Sequence, residues 1–302
     1  MIVRSERSFI KNQLGVQRTK SFGGVWGGAP RSKRLMIKLF SPSKLNLFFR
    51  VLGKRFDGYH EIASLMQAID FCDEIELSLG KKDEVSCSDV GLACDETNLV
   101  CRAREVFRTR YGLGGVRIRL IKRVWMQAGL GGGSGNAATV LWGLNQLVGG
   151  LVSEGEFKEM AAELGSDVPF FFSSGTARCT GRGEKVESLA EAVEVKGWVV
   201  KPHFGLSTKV VYERVRENRL QSVIAGDVLY YNDLECFAFE AEPRLKLVKE
   251  MLLREFAVVM MTGSGTAFFC SAPLHTEVQF MEDLLYHPIS SIQRKEKEWY
   301  VP

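Results

Sequence analysis

Among the 302 residues there is no apolar run of the roughly 18 needed to cross a bilayer as a helix. The stretch from Ala137 to Val152 is interrupted by Asn145, Gln146 and glycines, so no membrane role is expected. No Cys-x-x-Cys pair occurs among the seven cysteines. Cys87, Cys94 and Cys101 fall seven apart, but no histidine accompanies them at zinc-finger spacing. Reduced thiols in a reducing cytosol are therefore expected, with neither a zinc module nor a disulfide framework. Charge of one sign is also scarce, at a net +4. What excess there is sits in residues 1–34, where eight basic residues face the single acid Glu6. Removing that +7 from the total of +4 leaves the body at −3. This is no basic nucleic-acid binder.

What is present is material for real cores. Apolar residues make up 45% of the chain, and the length suffices for two modest domains. Alternating β-rich runs predict strands over 35–40, 45–52, 62–70, 74–79 and 116–121. Helical patterns cover 99–110, 137–147 and 156–164. The second half repeats the mixture, with a strand near 195–201, helices at 209–217 and 244–253, and a strand at 256–261. Strands and helices do not alternate strictly, which points to α+β rather than a doubly wound sheet.

The run Gly129-Leu130-Gly131-Gly132-Gly133-Ser134-Gly135-Asn136 stands directly before the helical pattern. Glycines let backbone N–H groups approach an anion with no Cβ in the way. A helix beginning there adds unpaired N–H groups and the positive end of its dipole. The combination describes a phosphate cradle. It is not a Walker loop, since no Lys follows the glycines, and it lacks the third glycine of a dinucleotide fingerprint. Protein-kinase landmarks such as His-Arg-Asp and Asp-Phe-Gly are absent.

The loop resembles the second motif of the GHMP kinases, a superfamily of small-molecule kinases, with two departures. Trp125 stands where a proline is usual, and Gly135 replaces a second serine. Three more segments occur in family order: Ser41–Leu47 with Gly53–Glu61, then Leu164–Phe171, then Met261–Phe268. Within the superfamily, Asp57-Gly58-Tyr59-His60 and Asp167-Val168-Pro169-Phe170-Phe171 are similar to the 4-diphosphocytidyl-2-C-methyl-D-erythritol kinases. That family acts in the methylerythritol phosphate route to isoprenoids.

The resemblance implies two α+β domains with the active site in the cleft between them. On it, residues 36–185 form the N-terminal, ATP-binding domain, 186–302 the C-terminal domain, and 1–35 an extension. It implies ATP as phosphoryl donor and Mg²⁺ bridging its phosphates, with the metal ligands unassigned. The expected ATP-binding residues are Trp125, Met126, Gln127, Ala128, Gly129, Leu130, Gly131, Gly132, Gly133, Ser134 and Gly135. Asp167 is expected as general base and Lys44 as its cationic partner; Tyr59 and His60 would take the cytosine. Asn46 would lie by the methylerythritol hydroxyls, with Thr208, Gly263 and Ser264 also on the substrate. The partner is thus the small-molecule substrate diphosphocytidyl methylerythritol, and a monomer or weak homodimer is expected. A GHMP kinase for another small alcohol and a catalytically silent nucleotide-binding regulator stand as alternatives.

Residues 1–34 lack apolar periodicity and are rich in Gly, Ser and Arg. They are open to three readings: translation that begins at Met36, a disordered tail, or a targeting segment. The enzyme is accordingly expected in the cytoplasm, or in a plastid-type organelle if the segment is a transit peptide.

Overall fold

The computed structural model describes residues 36–191, 193–216, 218, 220, 229–295 and 300. The expected N-terminal extension, including Leu35, and Glu217 of the expected 209–217 helix lie outside the described residues.

Two long antiparallel strands, β1 (Met36–Lys54) and β2 (His60–Leu79), form the backbone of the first sheet. Each fuses two shorter strands expected from the sequence. Ser41-Pro42-Ser43 reads as a turn, yet pairing continues through it, with a register shift between Pro42 and Ser43. The shift admits a proline, which has no N–H to give to the ladder. At its two ends β1 alternates between buried and less buried positions, but Ser41–Leu47 is buried throughout. That middle stretch is covered on both faces. It therefore places the polar side chains of Ser43, Lys44 and Asn46 in the interior.

The short strands β3 (Glu84–Cys87) and β4 (Val116–Ile121) extend one edge, β4 pairing with the second half of β2. The hairpin β5 (Thr176–Gly181) and β6 (Lys185–Ser188) joins the first half of β2. Helices α1 (Leu99–Tyr111), α2 (Gly132–Leu147) and α3 (Glu154–Leu164) pack on this sheet. Ser153 and Glu156 form a capping box at the start of α3, as Asn98 caps α1. Helix α2 begins at Gly132 rather than Ala137, so the glycine run is itself the first helical turn.

The second sheet runs in the order β11-β7-β10-β9, from Leu284–Ser290, Lys196–Pro202, Phe268–Pro273 and Phe256–Met261. It packs with α4 (Thr208–Tyr212), α5 (Leu234–Ala241) and α6 (Arg244–Leu252). Strand β8 (Tyr231–Asn232) crosses to pair in parallel with β1. A third apolar cluster, with Leu45, Leu47, Phe71, Val199, Ala267 and Ile289, fills the space between the sheets. Beyond β11 the chain returns to the first sheet. The Ile292 N–H donates to Ala68 O (2.8 Å), Arg294 N–H to Ser174 O (2.7 Å) and the Arg294 guanidinium to Phe171 O (3.1 Å).

Candidate active site

Lys44 reaches the cleft from the buried middle of β1. Its backbone N–H donates to Leu130 O (2.9 Å), which ties the strand to the glycine loop. Its ammonium donates to Gly129 O (2.7 Å) and to Asn46 Oδ1, and lies 3.7 Å from Asp167 Oδ2. At that distance the Lys44–Asp167 pair is ionic, with no direct hydrogen bond. Burial pushes the Lys44 ammonium below its ordinary range, and the Asp167 carboxylate opposes that fall.

Asn46 is locked from three sides. Its side chain accepts from Lys44 and donates to Ser64 Oγ (2.8 Å), and its backbone N–H donates to Thr262 Oγ1 (3.1 Å). Ser64 donates onward to Phe48 O (2.8 Å). Thr262 opens the second glycine turn, so this network joins β1, β2 and the second sheet.

The two glycine turns pack back to back. The Thr266 and Ala267 N–H groups donate to Gln127 O (3.1 Å) and Ala128 O (3.2 Å). Gly129 has φ +73°, and a Cβ there would stand 2.0 Å from Thr262 O. Gly131 caps α2 at φ +65°, with the Lys44 side chain about 3.0 Å from where its Cβ would be. Only glycine meets both demands at these positions. Asn232, on β8, donates to both Met261 O and Gly263 O (2.7 Å each) and fixes the second turn. Thr208 and Ser264 share a 2.8 Å hydrogen bond at the rim.

Asp167 sits between α3 and the buried 3₁₀ turn Pro169–Phe172. The turn's four buried side chains anchor the segment, while about a third of the Asp167 side chain stays exposed to the cleft. Two neutral groups adjoin it. Burial pushes the Cys179 thiol and the Tyr212 phenol upward, and the Asp167 charge adds to both shifts. Both therefore keep their protons.

Tyr59 and His60 are presented by the turn between β1 and β2. Gly58 at φ +85° closes it, and the Tyr59 N–H donates to Asp57 Oδ1 (3.1 Å). Arg55 braces the same turn through Asp57 and Glu61 (2.6 Å). The His60 ring lies 5.2 Å from that of Tyr212 on α4, and the Arg182 guanidinium lies 4.8 Å from the Tyr59 ring centroid.

One cleft of about 1010 Å³ gathers these groups. It brings together Lys44, Asn46, Tyr59, His60, Asp167, Thr208, Gly263 and Ser264. The loop residues Trp125 through Ser134 line it as well. Gly135 does not face this cleft. It is buried against β1, where a Cβ would stand 2.4 Å from Pro42 O. Its departure from serine thus lets α2 approach that strand. Trp125 sets its ring 5.1 Å from Phe71, edge to face, as the bulky side chain at the loop's entrance. Arg182, Thr262, Ser64 and Asn232 were not expected. Gly181-Arg182-Gly183 carries a turn signal that could have exposed Arg182, whereas nothing local marks the others.

The arrangement can hold a polyphosphate on backbone N–H groups at the start of α2. It can also set a carboxylate and an ammonium beside it. Among the described residues no cluster of three His, Cys, Asp or Glu side chains could hold a metal alone.

Comparison with known proteins agrees with this geometry. The family of GHMP kinases N terminal domains matches residues 98–175. The 4-diphosphocytidyl-2-C-methyl-D-erythritol kinase of Protochlamydia amoebophila is 46% identical, covering 87% of this chain and 93% of the relative. The chloroplastic enzyme of that name from Arabidopsis thaliana is 38% identical over 90% of this chain and 77% of its own length. A crystal structure of a 4-(cytidine 5'-diphospho)-2C-methyl-D-erythritol kinase superposes with a TM-score of 0.69 at 29% identity, covering 84% and 99% of the two chains. Homoserine kinase from Cytophaga hutchinsonii, at 17% identity and a TM-score of 0.63, shares the fold over 89% of this chain and 99% of its own. With its ordered motifs, two-sheet fold and near full-length relatives, this chain belongs to the 4-diphosphocytidyl-2-C-methyl-D-erythritol kinase family of the GHMP kinases.

Proposed function

We infer that the protein transfers the γ-phosphoryl group of ATP to the 2-hydroxyl of 4-diphosphocytidyl-2-C-methyl-D-erythritol. The observation that carries this reading is the placement of Asp167 and Lys44 between the glycine loop and the Tyr59–His60 turn. Phosphoryl transfer asks for positioning and charge stabilisation, with no covalent bond to the protein. The N-terminal turn of α2, from Gly131 to Ser134, holds the donor phosphates on its unpaired N–H groups. Asp167 accepts the proton of the attacking hydroxyl as the new O–P bond forms. The bond from the γ-phosphorus to the bridging oxygen breaks, and ADP leaves with that oxygen. Lys44 offsets the negative charge that grows on the alkoxide and the phosphoryl oxygens.

Mg²⁺ suits the site, because it takes most of its ligands from phosphates and water and needs only one or two protein oxygens. The Ser134 hydroxyl and the Asp167 carboxylate, both lining the cleft, would hold it, and it would neutralise the donor's β- and γ-phosphates. At the acceptor end, Tyr59, His60 and Tyr212 offer ring faces to a pyrimidine. The cytoplasm is the proposed compartment. Seven cysteines that form no disulfide support it, and they suit a plastid-type stroma equally. A peptide from residues 1–30 recovered from the native protein would exclude a start at Met36.

ADP release measured with and without the diphosphocytidyl substrate tests the function. Substrate-dependent release with a singly phosphorylated product is expected. Turnover with homoserine or another alcohol instead would move the chain to a sister activity. ATP binding with no turnover on any alcohol would leave a regulator.

A further inference from the structure

We propose that Trp125 forms an aromatic wall of the donor-base pocket and stacks on the purine of the bound nucleotide. The site rests on the reading of the glycine loop as the phosphate cradle, and it goes beyond that motif, which carries no aromatic there.

Three observations locate the pocket on the indole's side of the loop. First, the opening turn of α2 faces Lys122, Val124 and Leu99. A Cβ on Gly132 would stand 3.0 Å from Val124 Cγ1 and 3.5 Å from Lys122 Nζ, and one on Gly133 would stand 3.7 Å from Leu99 Cδ1. The acceptor groups Lys44 and Asn46 lie on the other side of the turn, against Gly131 and Gly263. Second, Leu92, Asn98, Leu99 and Trp125 line the same cleft as the cradle, with Leu99 beside Gly133, whereas His60 and Tyr59 pack by Tyr212 and Arg182. A nucleotide whose phosphates sit at Gly131–Ser134 with its γ-phosphate toward Asp167 must send its base toward Leu99 and Trp125. Third, the stretch bearing Trp125 is held at both ends. Asp73 accepts from the Arg123 N–H (2.7 Å), the Val124 N–H (2.8 Å) and Lys122 Nζ (2.5 Å). Two residues on, the Gln127 and Ala128 carbonyls take the second turn's N–H groups.

The ring itself is backed by two more. Phe71 meets it edge to face at 5.1 Å, and His287 of β11 stacks on Phe71 at 3.9 Å and 21°. A half-buried indole supported in this way has little freedom left to lose when a base arrives, so its share of the ordering cost is small. Every base has a π-face, but a purine covers more of an indole than a pyrimidine does. The wall therefore also selects purine donors over pyrimidine ones.

The test uses the full chain and needs no acceptor, so it stands even if the acceptor assignment fails. ADP, CDP and inorganic triphosphate are titrated against the wild type, Trp125→Phe and Trp125→Ala, with dissociation constants from calorimetry and tryptophan emission followed in parallel. Inorganic triphosphate carries the phosphates and no base. ADP affinity should fall about tenfold in Trp125→Ala and be largely kept in Trp125→Phe. Triphosphate affinity should be unchanged in both, and the ADP-over-CDP preference should shrink in Trp125→Ala. ADP should alter wild-type emission, and most of that change should vanish in Trp125→Phe. Equal ADP affinity in all three proteins would overturn the proposal. So would a parallel loss of triphosphate binding, which would mark Trp125 as a prop for the loop.

Discussion

The two halves of the cleft are built by opposite means. The phosphate cradle of the donor half is made of backbone: the N–H groups at the start of α2, on a glycine loop whose carbonyls are braced from behind by the amides of the second turn. The acceptor half is made of side chains, with Lys44, Asn46 and Asp167 set among buried neutral groups and Tyr59, His60 and Tyr212 at the far end. A backbone site is sensitive to added atoms and indifferent to pH. A side-chain site is sensitive to lost atoms and to protons. Steric insertion should therefore break the first half, and truncation or titration the second.

The sharpest way to break the acceptor half is Asp167→Asn. Loss of the base should cost about 10²–10⁴-fold in kcat while the Kd for ADP changes less than twofold, read by steady-state assay and calorimetry. A near-normal rate would remove Asp167 from the proton transfer. The matching insertion in the donor half is Gly129→Ala. It forces a left-handed φ on a residue with a Cβ and drives that Cβ toward the Thr262 carbonyl. A loss of about 3 kcal/mol in urea unfolding is expected, with weakened ADP binding. Full stability in this variant would show that the two turns are not tightly packed.

Tyr59→Ala sharpens the contrast within the acceptor half. The acceptor KM should rise about tenfold with the ATP KM unchanged, because only a stacking face is lost. A change confined to the ATP KM would reverse the assignment of the two ends. The smallest effect comes from pH. Burial lowers the Lys44 ammonium from 10.5, so the charge is lost as pH rises through the lowered value, and kcat should fall there. Stability should move the other way. Between the lowered folded value and 10.5 the unfolded chain binds the proton more tightly, so this group's contribution to stability rises with pH. A rate profile set beside an unfolding profile separates the two, and a joint decline would mean that the loss of activity is loss of fold.

How much of this was legible in the sequence also divides along local and distant lines. The glycine cradle is built from neighbours in the chain and could be read from its residues, whereas the Asp167 segment and the Tyr59–His60 turn, though equally local, took their expected roles from the family resemblance. Asn232 could not be read, since β8 is too short for any periodicity and its partners lie about thirty residues away. Nor could the locking of Asn46 by Thr262, a contact across 216 positions. Gly135 was visible as a departure, but its reason lies in the Pro42 carbonyl on another element. The gap between the strands expected at 35–40 and 45–52 is closed by pairing that runs on through Pro42, because a register shift in β1 absorbs the proline. The short α5 and the edge strands β3 and β11 went unexpected for a similar reason, being defined by pairing or packing more than by pattern.

The return of the chain after β11 has a consequence for how the protein is made. Arg294 donates to Phe171 O across 123 positions, so the segment that anchors Asp167 is clasped by residues that leave the ribosome long after it. At the usual 5–20 residues per second, that interval is roughly ten seconds. During it the Asp167 segment lacks this clasp and is held only by its neighbours, α3 and the 3₁₀ turn. The Asp167 segment therefore gains its full set of contacts only after the second sheet has been made and the chain beyond β11 has returned to the first.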